Sequence, residues 1–122
     1  MGAESEILAL LEAWIAALQA GDAGKVTELY ASDAILLPTV ASRVRRNHAE
    51  IRDYFEQVVA GGPRGVIDEA NVRVFGDLAV SSGRYTFAFA DGSVVAARFT
   101  YVYRQSADGW RIIEHHSSRV PE

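Results

Sequence analysis

The chain has 122 residues, with 12 Lys and Arg against 16 Asp and Glu, a net charge of −4 and no cysteine. That length fits one domain, residues 1–122, able to bury a real core without covalent staples, and the missing cysteines remove disulfides and thiolate metal sites. The acidic balance, without any Lys/Arg-rich run, argues against nucleic acid or an anionic membrane as partner, and no apolar run nears the ~20 residues that would span a bilayer.

The opening Met-Gly-Ala-Glu-Ser-Glu carries no basic n-region and leads directly into a helical pattern. A cytoplasmic location is therefore expected, or a periplasmic one if a leader has been trimmed. Ser5 is the expected N-cap of a helix reaching about Ala20, with Leu8, Leu11, Ile15 and Leu18 at helical spacing and Ile7, Leu10 and Trp14 widening the stripe. Gly21-Asp22 ends it and starts a shorter helix through Val26, Leu29 and Tyr30. Ala34 to Leu37 reads as a short buried strand stopped by Pro38. Asn47 and Glu50 form a capping-box pattern for a third helix, from Ala49 to about Val59, with Ile51, Tyr54, Phe55 and Val58 on its apolar face. Gly61-Gly62-Pro63 breaks the chain, and the apolar period then drops from 3.6 to 2.

Strands are predicted near 66–75, 78–90, 93–105 and 109–118, with Gly76-Asp77, Asp91-Gly92 and Asp108-Gly109 as hairpin turns. Helices first and a meander of long strands afterwards define an α+β fold, with the helices packed on an antiparallel sheet. The strand faces carrying Phe87, Phe89, Phe99, Tyr101 and Tyr103 look wider than one layer of helices can cover. A second subunit is the expected cover, giving a homodimer or a higher homo-oligomer.

The last strand, from Trp110 to Pro121, holds most of the candidate chemistry. Alternation puts Arg111, Ile113, His115 and Ser117 on one face, and Trp110, Ile112, Glu114, His116 and Ser118 on the other. Two polar residues running inward on a central strand must find partners. One of the pairs His115/Ser117 and His116/Ser118 is therefore expected to line a wet cavity, unless the strand end simply faces solvent. The adjacent histidines point to opposite faces, and His48 sits at a helix start, so no metal site is expected. Thr39 reads as a turn hydroxyl or a pocket group, and Tyr54 as a core aromatic with its hydroxyl at an edge. Arg84 with Thr86, and Arg98 with Thr100, share strand faces; these are solvated positions or ligand contacts. No close carboxylate pair marks an acid/base dyad, and no strained turn presents a nucleophilic serine.

The order helix–helix–strand–helix–meander, with LYASDA at 29–34, EIRDYF at 50–55 and DGWRI at 108–112, resembles the nuclear transport factor 2-like superfamily. The resemblance covers essentially the whole chain and implies a cone, in which a strongly bent sheet wraps a long helix and leaves a pocket at its open end. GRYTF, ARFTYVYR and the terminal HHSSRVP look like the association domain of calcium/calmodulin-dependent protein kinase II, an oligomer built on dimers. LLPT, EIRDYF and HHSS together are similar to iota-class carbonic anhydrases, which share that domain.

That similarity implies reversible hydration of carbon dioxide to bicarbonate, without metal or other cofactor. Matching motifs assign the catalytic set to Thr39, Tyr54, His115 and Ser117, with a one-residue register error moving the last pair to His116/Ser118. Arg84, Thr100 and Arg98 are the expected ligand-binding residues on the wall, and Leu18, Phe55 and Ile113 the expected apolar lining. His115 is expected to take or relay the proton, its ordinary pKa lying near neutrality. Ketosteroid isomerases share the superfamily, but the segment 35–39 lacks their aspartate base. The alternative to an enzyme is a non-catalytic oligomeric hub whose pocket takes a small carboxylate through Arg84 or Arg98.

Overall fold

In the computed structural model, which describes residues 2–121, helix α1 runs Ala3–Gln19 and α2 runs Ala23–Glu28. α1 begins two residues before Ser5, with Gly2 at the N-cap, so Ser5 lies in the first turn. Its buried stripe is Ile7, Leu11, Trp14, Ile15 and Leu18, while Leu8 faces outward. The helix closes in a Schellman turn: Gly21 N–H donates to Leu18 O and Asp22 N–H to Ala17 O, with Gly21 at φ 75°. Asp22 then accepts from Lys25 N–H and caps α2.

Strand β1 spans Tyr30–Leu37. Tyr30, expected at the end of α2, instead opens this strand, because α2 stops at Glu28 and Tyr30 pairs with Ile112. Helix α3, His48–Ala60, is capped by Asn47, whose side chain accepts from Glu50 N–H. The Glu50 carboxylate reaches back to Arg46 N–H, one residue beyond the usual capping-box partner. The meander follows: β2 Arg64–Phe75, β3 Leu78–Ala88, β4 Val94–Ser106 and β5 Gly109–Arg119. The sheet order is β1-β5-β4-β3-β2, antiparallel except for the β1–β5 pair. Three helices cover one face of this curved sheet, with α1 over β2 and β3, and α3 over β1.

Phe87, Phe99, Tyr101 and Tyr103 are buried on the covered face. Trp14 of α1 packs on Phe87 and Tyr101, and Phe99 and Tyr103 pack on Tyr101 in the same buried cluster, so the expectation that they form an apolar surface for a second subunit is corrected. Trp14 sits among them, with ring centroids 5.6–6.0 Å from Phe55, Tyr85, Phe87, Tyr101 and His115. Each large side chain buried in this cluster contributes roughly 1.5–3 kcal/mol relative to exposure.

Two bulges set the geometry. On β2 the pairing skips Asp68, so Ile67 and Ala70 both face inward and Asp68 and Glu69 stay exposed. Beside it, β2 crosses so close to Gly83 of β3 that a Cβ there would stand 2.0 Å from Glu69 O. Gly83→Ala is therefore expected to cost more than ~3 kcal/mol of stability, because backbone rather than a side-chain tip must move. Urea denaturation checks this; a loss under 1 kcal/mol would mean the bend relaxes freely. On β5 the pairing skips Ile113 between Val102/Glu114 and Tyr103/Ile112. Trp110 and Ile112 point inward before the skip, and His115 and Ser117 after it.

Candidate active site

A cavity lies at the end of the sheet where β1, β3 and β5 finish and β4 begins. It offers about 40 Å³ for the centres of water-sized groups, where one buried water needs ~10–15 Å³. A ligand of three or four heavy atoms fits. Most of the lining is apolar, including Leu18, Leu36, Phe55, Phe87 and Val95, and no Asp, Glu, Lys or Arg takes part. The polar groups are Thr39, Tyr54, Tyr85, His115 and Ser117. Val40, 49% exposed, stands at the mouth.

Each polar group arrives from a different element. Thr39 follows Pro38 at the end of β1, and its hydroxyl bonds Ser117 Oγ on β5 at 2.5 Å. Tyr85 of β3 donates to Ser117 Oγ at 2.9 Å and lies 3.2 Å from His115 Nε2. His115 Nδ1 lies 2.8 Å from the hydroxyl of Tyr30, which accepts from Trp14 Nε1 at 3.0 Å. Tyr54 comes from α3; Val40 N–H approaches its hydroxyl at 3.5 Å, the outer limit of a hydrogen bond. Arg45, itself buried, fastens the rim loop onto α3. It pairs with Asp53 at 2.9 Å, donates to Glu50 O at 3.1 Å and lies over the Tyr54 ring at 5.7 Å.

The site is electrically neutral. Burial pushes the phenols of Tyr30, Tyr54 and Tyr85 upward, so all three stay protonated. Burial, with a smaller contribution from neighbouring His116, lowers His115 to about 3. His115 is thus a neutral hydrogen-bonding group throughout the physiological range. This corrects the expectation of a proton acceptor poised near neutrality, since a ring 1% exposed and stacked on Tyr101 at 3.8 Å is shielded from the solvent that would stabilise its charge.

Thr39, Tyr54, His115 and Ser117 line this one cavity, while His116 is exposed on the opposite face. Arg84, Arg98 and Thr100 do not reach it. Tyr85, Phe99 and Tyr101 point inward, so their strand neighbours point outward, and Arg84 and Arg98 pair across β3 and β4 on the uncovered face. Ile113 is also absent from the lining, because the β5 bulge takes it out of the alternation. The expected contribution of these four residues to the wall is corrected accordingly. Trp14, Tyr30 and Tyr85 were not singled out from the sequence. An inward-facing phenol needs a polar partner, which marks Tyr85 as a residue to inspect, but not which partner it finds. Among the described residues, no three His, Asp or Glu side chains gather where they could hold a metal ion.

Helices laid across one face of a curved five-stranded sheet, with a small pocket at one end, define an α+β cone of the nuclear transport factor 2-like type. The chain belongs to the calcium/calmodulin dependent protein kinase II association domain family, which it matches over residues 3–121. A crystal structure from Xanthomonas campestris that carries the same association-domain name is 44% identical. The match covers 100% of this chain and 91% of that one, with a TM-score of 0.93. A nuclear transport factor 2-like protein of unknown function from Pseudomonas putida shares the fold at 22% identity, over 98% of this chain and 87% of that one, TM-score 0.87. Another, from Novosphingobium aromaticivorans and described as cystatin-like in fold, matches at 20% identity over 95% and 80%, TM-score 0.82. No curated protein is similar enough to this chain to count as a match.

Proposed function

We infer that this chain hydrates carbon dioxide reversibly to bicarbonate, as its similarity to iota-class carbonic anhydrases implies. The observation that carries this is the convergence of four neutral hydroxyls and one neutral imidazole in an otherwise apolar cavity of three-to-four-atom size. Carbon dioxide is small and apolar, and it becomes charged only as it reacts. Water held by the Thr39 and Tyr54 hydroxyls attacks the carbon; a C–O bond forms while one C=O electron pair moves onto oxygen. The Ser117 hydroxyl donates to that oxygen as charge develops, which is differential stabilisation of the transition state. The attacking water releases its proton to solvent at the mouth beside Val40. With no ionised base in the cavity, turnover should be modest beside zinc enzymes, whose bound water has a pKa of ~7. The deciding experiment is stopped-flow hydration of carbon dioxide by full-length protein, with and without chelator. A rate equal to buffer would end this reading.

A second reading, favoured by the family, is assembly. Among the described residues no helix covers the outer sheet face, which carries Arg84, Arg98 and Thr100 at its centre and exposed Val66, Phe75, Leu78 and Val94 toward its ends. A homodimer or larger homo-oligomer formed through this face is expected, burying on the order of 1,600 Å² in total. Light scattering at micromolar concentration should give at least twice the mass of one chain. A monomeric wild-type mass would exclude it. Catalysis and assembly are compatible, since they use opposite faces of the sheet.

A further inference from the structure

The polar groups of the cavity continue into the core as one unbroken chain: Trp14 to Tyr30, Tyr30 to His115, His115 to Tyr85, Tyr85 to Ser117, and Ser117 to Thr39. Its first member fixes its direction. An indole N–H can only donate, so Tyr30 Oη accepts from Trp14. The buried Tyr30 O–H then meets His115 Nδ1 at 2.8 Å as its acceptor. Leaving it unpaired in the core would forfeit its hydration with nothing in return. Nδ1 is therefore the bare nitrogen, and the ring hydrogen sits on Nε2, where it donates to Tyr85 Oη. Tyr85 passes its own hydrogen to Ser117 Oγ. Thr39 donates to the same oxygen. A serine oxygen has two lone pairs and one hydrogen; with both lone pairs taken, only the hydrogen is left.

We propose that Trp14, Tyr30 and Tyr85 are positioning residues that hold His115 as its Nε2–H tautomer and leave Ser117 as an obligate donor, so that the cavity takes ligands presenting an acceptor oxygen. Carbon dioxide, bicarbonate and small carboxylates meet that requirement; ligands with only N–H donors do not. The ligand class builds on the proposed hydration chemistry, while the orientation of the chain stands apart from it. Because the chain begins at a group that cannot accept a proton, it orients Ser117 and does not carry protons out through the core.

Long-range ¹⁵N–¹H spectra of the full chain labelled at histidine read the tautomer directly. The wild type should show a pyridine-like Nδ1 and a pyrrole-like Nε2 at His115. Tyr30→Phe, which removes the hydrogen bonded to Nδ1, should give a mixture of tautomers. An Nδ1–H ring in the wild type would overturn the proposal without reference to any variant. An unchanged pure tautomer in Tyr30→Phe would overturn the role of Tyr30. Formate, which offers acceptor oxygens but no hydration chemistry, serves as the ligand probe. It should shift the amide signals of Thr39 and Ser117, with about tenfold weaker binding in Tyr85→Phe, where Ser117 is free to turn toward Thr39. No formate binding to the wild type, or equal binding in Tyr85→Phe, would overturn the donor assignment. An Nε2–H ring and formate binding in a protein without hydration activity would support the oriented donor and remove only the catalytic reading.

Discussion

Ser117→Ala is expected to lower kcat/KM for carbon dioxide hydration by on the order of 10²–10³, the usual effect of removing one preorganised donor. The size of the effect follows from position. Ser117 Oγ is the junction between Tyr85, at 2.9 Å, and Thr39. Its hydroxyl faces a cavity without ions, where a hydrogen bond to developing charge is worth more than in water. The substitution removes a single oxygen and adds no bulk, so far-UV circular dichroism should be unchanged. Thr39→Ala should also slow hydration, and the double variant should fall well short of the product of the two losses, because each hydroxyl fixes the other. Tyr54→Phe should also slow hydration, since its hydroxyl stands beside Val40 N–H and Thr39 at the same cavity. Hydration by Ser117→Ala within twofold of wild type, with the fold intact, would remove Ser117 from the reaction.

The sequence expressed the fold more fully than the site. Local signals marked the helices: the Asn47 cap, the Gly21 turn and the stripe from Ile7 to Leu18 each depend on near neighbours. The change of period after Gly62 marked the meander. The cavity depends on register between distant strands, and there the alternation count was right only in part. His115 and Ser117 do face inward together, but Ile113 and Arg111 do not belong with them, because one skipped residue separates the two halves of β5. Counting inward from Trp110 and Ile112 would have chosen His116 and Ser118 instead. The arginines illustrate a second limit. The resemblance and strand alternation suggested that Arg84 and Arg98 would meet a ligand, yet the aromatic residue beside each occupies the covered face and turns the guanidinium outward. Trp14 and Tyr30 lie 101 and 85 residues before His115 in the chain, and only the folded sheet brings the three together.

The buried imidazole should also make the protein acid-sensitive in a way that His115→Gln removes. His115 has an ordinary pKa of 6.5 in the unfolded chain and is held down to about 3 in the fold, chiefly by burial. Between those values the unfolded chain carries a proton that the folded chain refuses, so stability rises with pH across this window and falls as the solution is acidified through it. Above pH 6.5 both states are neutral at this ring, and the dependence ends. From pH 7 to pH 4.5 the loss should be on the order of 2–3 kcal/mol, at ~1.4 kcal/mol per pH unit, or roughly 10 °C in Tm for a domain of this size. Glutamine keeps one donor and one acceptor near Tyr85 and Tyr30 but cannot ionise. His115→Gln should therefore be less stable than wild type at pH 7, because its fit to the chain is poorer, and the gap should close as pH falls to 4.5. Thermal melts of both proteins at half-unit intervals measure this gap. A constant gap from pH 7.5 to 4.5 would mean that His115 accepts a proton within the folded protein, and the neutral, oriented ring on which the site is built would have to be abandoned.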